Sequence, residues 1–124
     1  MIPKFRAFIK FKGAVNPMQR VSKINFGNET ITIEQGLVFK LDDTILMQST
    51  GLTDLNGNEI FADDIVKMQF RVYEEPELFV VKTKAGHAAR VDYRTKGTEL
   101  WLRHNHCEVV GNRWENPELM EVGR

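Results

Sequence analysis

LMQSTGLTDLNGNEIFADDIVKM, residues 46–68, is the stretch whose reading decides the fold. Met47, Leu52, Leu55, Ile60, Phe61, Ile65 and Val66 supply apolar anchors along it. Gly51 and Asn56-Gly57 supply positions where the backbone can take φ > 0, which residues with a side chain resist. The spacing predicts a tight, exposed hairpin loop at Asn56-Gly57 and the start of a long strand at Ile65. It is a motif of shape and carries no evident chemistry.

Upstream, Lys4 to Lys10 alternates with Phe5, Ala7 and Ile9 on one face, which predicts a half-buried strand. Gly13 to Pro17 reads as a loop, because Asn-Pro favours turns and Pro17 cannot donate to a ladder. Arg20 to Phe26 alternates again. Gly27-Asn28 then reads as a two-residue hairpin turn into Glu29–Ile33, and Gln35-Gly36 as a turn into Leu37–Leu41. Residues 1–45 therefore read as a β-meander, with Asp42-Asp43-Thr44 a link or cap before the turn segment 46–64.

Downstream, five strands are expected. Ile65–Val72 should turn Val66, Met68, Phe70 and Val72 inward and Lys67, Gln69 and Arg71 outward. Leu78–Thr83 is apolar on both faces, as a central strand would be. His87–Tyr93 follows with Val91 inward, Lys96-Gly97 turns into Leu100–Arg103, and Cys107–Gly111 comes last with Val109 inward. Val80 joins the expected core. Five short strands with turns every 8–12 residues fit a small barrel over residues 64–112. The tail Glu115–Met120 suits one helical turn with Pro117 near its start. The fold class is mainly β with little helix, one domain of 124 residues with 65–124 as barrel and tail.

Hydrophobic content of 42% and charged content of 27% are ordinary for a globular chain. The lone cysteine, Cys107, cannot form an intrachain disulfide and suits a reducing compartment. Lys4, Arg6, Lys10 and Lys12 break up the apolar start, so neither a signal peptide nor a membrane helix is expected. Net charge is zero but blocky: residues 1–27 carry +6, 28–64 carry −7 and 78–106 carry +4. Such blocks either complement each other in the fold or between subunits, or expose a basic face to phosphates.

Chemistry-bearing clusters are sparse. His104, His106 and Cys107 are a weak metal candidate: on a strand the two imidazoles would share a face, and a further ligand such as His87 would be needed. The alternative places the histidines on an exposed loop and Cys107 in the core. Asp54-x-Asn56-Gly57-Asn58-Glu59 has the wrong glycine place and glutamate spacing for a calcium loop, and turn chemistry explains it better. Asp42-Asp43 and Asp63-Asp64 lack the supporting Lys or His of a two-metal site. Lys82, Lys84, Arg90, Arg94, Lys96 and Arg103, interleaved with Phe79, Tyr93 and Trp101, suggest a surface where bases stack and cations hold phosphates. Tyr93 and Trp101 serve equally well as core.

Thr50 to Val66, TGLTDLNGNEIFADDIV, resembles the signature of the YopX family of phage and prophage proteins. Lys4-Phe5-Arg6-Ala7-Phe8 is similar to the family's opening block. Val109-Val110-Gly111-Asn112 and Glu115-Asn116-Pro117-Glu118-Leu119 are similar to its closing block. Phe8 stands where the family usually has Trp, and Ile9 where it often has Asp. Ala62-Asp63 replaces a common Glu-Gly, so Asp63 enters a position suited to glycine and the turn is expected to reshape. The resemblance implies a phage-related protein with an SH3-like barrel and no established activity, catalytic residues, metal or cofactor. The resulting expectation is a non-catalytic protein-binding or self-assembly module in the cytoplasm of a bacterial host. Its partners would be further copies of itself or another phage or host protein, and no membrane. A nucleic-acid-binding module using residues 82–103 is the alternative, and a metal-dependent enzyme the third reading.

Overall fold

The alternation at the start becomes strand β1 (Phe5–Ile9), with Ala7 and Ile9 buried as the period of two requires. This is seen in a computed structural model that describes residues 4–10, 16–69, 73–82, 90–93, 96–100 and 104–120. The chain divides into two units, Met1–Ser49 and Thr50–Arg124.

In the first unit β1 is followed by β2 (Met18–Asn25), β3 (Thr30–Ile33), β4 (Val38–Lys40) and the first half of β5 (Thr44–Thr53). They pair in the order β4-β3-β2-β1-β5, antiparallel throughout, so the expected meander is present. Its core is Ala7, Ile9, Ile31 and Ile33, with Val21, Ile24, Phe39, Leu41 and Leu46 packed against them. The β2–β3 connection differs from the two-residue turn expected at Gly27-Asn28. Asn25 pairs with Thr30, four residues lie between, and Glu29 rather than Gly27 takes the left-handed conformation (φ 56°). The Asn25 side chain accepts the Asn28 N–H at 3.0 Å and so holds the longer loop. Leu41–Asp43 forms a 3-10 turn into β5, with Asp42 and Asp43 exposed.

In the second unit the remainder of β5 neighbours β6 (Glu59–Phe61) across the Asn56-Gly57 turn. A second sheet contains β7 (Asp64–Met68), β8 (Glu77–Lys82), β9 (Arg90–Tyr93), β10 (Lys96–Glu99) and β11 (Glu108–Asn112), in the order β10-β9-β8-β7-β11. These are five strands over residues 64–112. They form an open antiparallel sheet, with no barrel closure among the described residues. The chain is mainly β, and its 3-10 turns are short; Pro117–Met120 is the single helical turn foreseen in the tail.

The core here is Ile60, Val66, Met68, Phe79, Val81, Leu100 and Cys107, with Leu52 and Val109 packed against it. Val66 and Met68 are inward and Lys67 and Gln69 exposed, as the alternation required, but Ile65 is buried too. On β8 the fully buried residues are Phe79 and Val81, while Val80 is only half-buried; the run LFVV offers no polar residue to mark a face. Lys96 and Gly97 lie inside β10, opposite Tyr93 and Asp92, and not at a turn. Phe70 and Val72 lie outside the described residues, as does the side chain of Val91.

Candidate functional site

Asp54 follows β5 and starts the Asn56-Gly57 turn. Its Oδ1 accepts the N–H groups of Asn56 and Asn58, both at 2.9 Å, and its Oδ2 accepts that of Val109 on β11 at 2.8 Å. Backbone bonds from Asp54 N–H to the Asn58 carbonyl (2.8 Å) and from Gly57 N–H to the Asp54 carbonyl (3.0 Å) close the loop, with Gly57 at φ 84°. Burial alone would raise the Asp54 pKa; the donors Val109, Asn58 and Asn56 outweigh it and hold the carboxyl below its ordinary value. Both oxygens face N–H dipoles, which repel a cation. The calcium-like spacing is therefore turn chemistry.

The rest of the signature is used in the same way. Thr50 Oγ1 donates to the Ile60 carbonyl (2.7 Å) and accepts the Leu52 N–H (3.2 Å) around Gly51, whose φ is 79°. Buried Asp64 accepts the Phe61 N–H at 2.8 Å and closes the Ala62-Asp63 turn. Asp63 itself sits at φ 70°. The turn keeps a left-handed residue despite the missing glycine, because an aspartate tolerates that region better than most residues. The Asp63 side chain then does what a glycine cannot: Oδ2 accepts the Trp114 indole N–H at 2.8 Å, and the Arg113 guanidinium stands 3.8 Å from Oδ1. Arg113 also lies over the Trp114 ring, 5.2 Å from its centroid.

The closing block is a cap. Asn112 Oδ1 accepts the N–H groups of Trp114 (3.0 Å) and Glu115 (2.8 Å), while its amide donates to Glu115 Oε1 (2.8 Å). Asn116 Oδ1 in turn accepts the Asn112 N–H. Gly111 is needed for this approach, since a Cβ there would lie 2.6 Å from Asn116 Oδ1. These partnerships read locally as ordinary polar tail, and those of Asp54 with Val109 and of Asp63 with Trp114 join residues more than fifty positions apart. Asn112, Glu115 and Asn116 recurring after Gly111 are a sequence signal for the cap alone.

His104 and His106 form a 3-10 turn and do not share a strand face. His104 Nδ1 lies 2.7 Å from the Thr53 carbonyl, an acceptor only, so Nδ1 carries the proton. Cys107 is fully buried, its thiol donating to the His104 carbonyl. Burial, with the Asp54 charge second, pushes that thiol up to about 11, so it stays protonated. Among the described residues no group of three or more His, Cys, Asp or Glu could hold a metal ion.

Of the basic block, Lys82 is exposed at the end of β8 and paired in register with Arg90, which is opposite Glu99 on β10; Lys96 is opposite Tyr93. Lys84, Arg94, Trp101 and Arg103 lie outside the described residues. Phe79 belongs to the core and offers no stacking surface. A shallow groove of about 210 Å³ beside β2, lined by Phe5, Val21, Ser22, Lys23 and Ile24, is smaller than typical small-molecule sites. No helix among the described residues is long and apolar enough to cross a membrane.

Solved structures share the fold. Protein EF1440 from Enterococcus faecalis superposes with a TM-score of 0.70 at 23% identity, covering 97% of this chain and 99% of that one. Protein yopX from Bacillus subtilis superposes with a TM-score of 0.64 at 20% identity, covering 94% and 96%. Comparison with curated proteins gives no match. The model of the YopX protein family matches residues 4–121, spanning the opening, central and closing blocks, and the chain belongs to that family.

Proposed function

We propose that this protein is a non-catalytic module for protein binding or self-assembly, acting inside a bacterial cell in a phage or prophage context. One observation carries the reading: the polar signature residues Thr50, Asp54, Asp64, Asn112 and Asn116 are all engaged in hydrogen bonds that fix backbone. What the family pattern builds is a shape. The blocks of +6, −7 and +4 supply a means for such shapes to meet, since charges separated by more than about 8–10 Å are screened at physiological salt and act chiefly where surfaces touch. Nucleic-acid binding is the second reading, favoured by the adjacency of Lys82 and Arg90 across β8 and β9.

Light scattering of the purified chain at low and high salt, with absorbance at 260 and 280 nm, tests both readings. A mass above that of the monomer, or added mass with a protein partner, supports the first. Salt-sensitive nucleic acid carried through purification replaces it with the second. A monomer at every salt concentration that binds neither protein nor nucleic acid defeats both.

A further inference from the structure

We infer that the free edge of β4 is a docking site for an extended segment of another protein, apolar in the middle and flanked by Lys or Arg. The inference rests on the binding-module reading above and assigns its contact surface. Among the described residues β4 ends the pairing order of its sheet. The Ile33 N–H bonds to the Leu37 carbonyl and the Leu41 N–H to the Glu29 carbonyl, so residues 37 and 41 direct their backbone groups toward β3. By the alternation of an antiparallel ladder Phe39 does the same, and the N–H and C=O groups of Val38 and Lys40 point away from the sheet. Leu37 and Val38 are 60% and 59% exposed beside them. Phe39 and Leu41, by contrast, pack on the core. An added strand would meet both backbone partners and, by the alternation of side chains along a strand, one exposed apolar residue on either face, Leu37 and Val38.

The contrast with β11 gives the open edge its meaning. There the Val109 N–H is capped by Asp54, the Cys107 carbonyl by the Leu55 N–H, and the Asn112 N–H by Asn116. Natural sheets blunt edges in such ways to avoid unwanted pairing. On β4 the bracketing groups are charges instead. Exposed Glu34 lies in the turn before β4, and exposed Glu29, Asp42 and Asp43 lie at its far end, against Lys40 alone. That field decides the occupant. A symmetric β4–β4 pair between two copies would bring these carboxylates together, whereas a segment with basic flanks would be complementary at both ends.

The test uses the full chain and a fluorescent peptide, Lys-Lys-Val-Thr-Val-Thr-Val-Lys-Lys, followed by anisotropy, with its Glu-flanked counterpart as control. Saturable binding of the Lys peptide is expected, about tenfold or more tighter than the Glu peptide, with amide NMR shifts centred on Val38 and Lys40. Val38→Pro deletes an outward N–H that the sheet does not use, and should weaken binding by about tenfold with the fold retained. The double variant Glu34→Lys, Asp42→Lys should reverse the peptide preference, and serves if the proline variant folds poorly. Binding unchanged in both variants, or shifts elsewhere, overturns the inference. So does a dimer that Val38→Pro abolishes and the peptide does not displace, because the occupant is then a second copy. If neither peptide binds while the chain still self-associates, this site falls and the module reading stands.

Discussion

Gly57 isolates the conformational demand of the signature turn better than any neighbour. Its φ is 84° and a Cβ there would touch nothing within 4 Å, so Gly57→Ala tests backbone strain alone. A loss of roughly 1 kcal/mol or more in urea unfolding is expected. Gly111→Ala tests the opposite case, where the new methyl strikes the Asn116 side chain that caps Asn112. About 1–3 kcal/mol should be lost, as for overpacking generally. Asp54 adds a pH signature. Its folded pKa lies below the unfolded value, so its contribution is fully present above the unfolded pKa and is lost as pH falls through the folded one. Asp54→Asn should cost about 2 kcal/mol at pH 7, since one oxygen is replaced by a donor facing an N–H, and the gap to wild type should narrow as pH falls below about 4. Unfolding curves at both pH values check the sign. A gap that widens in acid would show that another group governs this turn.

At the scale of elements, periodicity read well where one face met water. β1 and the stretch from Val66 to Gln69 alternate in sequence, and Ala7, Ile9, Val66 and Met68 are buried where the pattern puts them. It failed where water gave no contrast. Leu78 to Val81 is apolar throughout, and Phe79 and Val81 face the core where Val80 had been expected to. Phe79→Ala should therefore cost about 3–5 kcal/mol, and Val80→Ala only about 1 kcal/mol. Equal costs would mean that β8 is buried on both faces. Turn residues misled in two places. Glycine is permissive and not obligatory, so Gly27 and Gly97 marked turns that the chain builds with Glu29 or does not build there at all. The site-level reading had a similar limit. The turn chemistry of Asp54, Asn56 and Gly57 was legible locally, whereas the reach of Asp54 to Val109 and of Asp63 to Trp114 depends on tertiary pairing that no local pattern encodes.

At the scale of the molecule, two apolar clusters with no residue in common lie one in each unit. The first is built from Ala7, Ile9, Ile31 and Ile33 within fewer than fifty residues, a length at which a single core is marginal. The second gathers Ile60, Val66, Met68, Phe79, Val81, Leu100 and Cys107, and its edge at β11 is capped by part-buried hydrogen bonds. Unequal stability is the physical consequence, since local opening follows buried apolar contact and backbone protection. Amide exchange at Ile31 and Ile33 should thus be faster than at Val66 and Phe79 under native conditions. Ile31→Ala should accelerate exchange across β1 to β4 and leave β7 and β8 protection nearly unchanged; Phe79→Ala should weaken protection in β7 and β8. The strand β5 runs through the boundary at Ser49–Thr50 and is the place where the two responses could merge. If Ile31→Ala lowered protection equally in β3 and β8, the continuity of β5 would outweigh the separation of the cores, and the chain would unfold as one cooperative body.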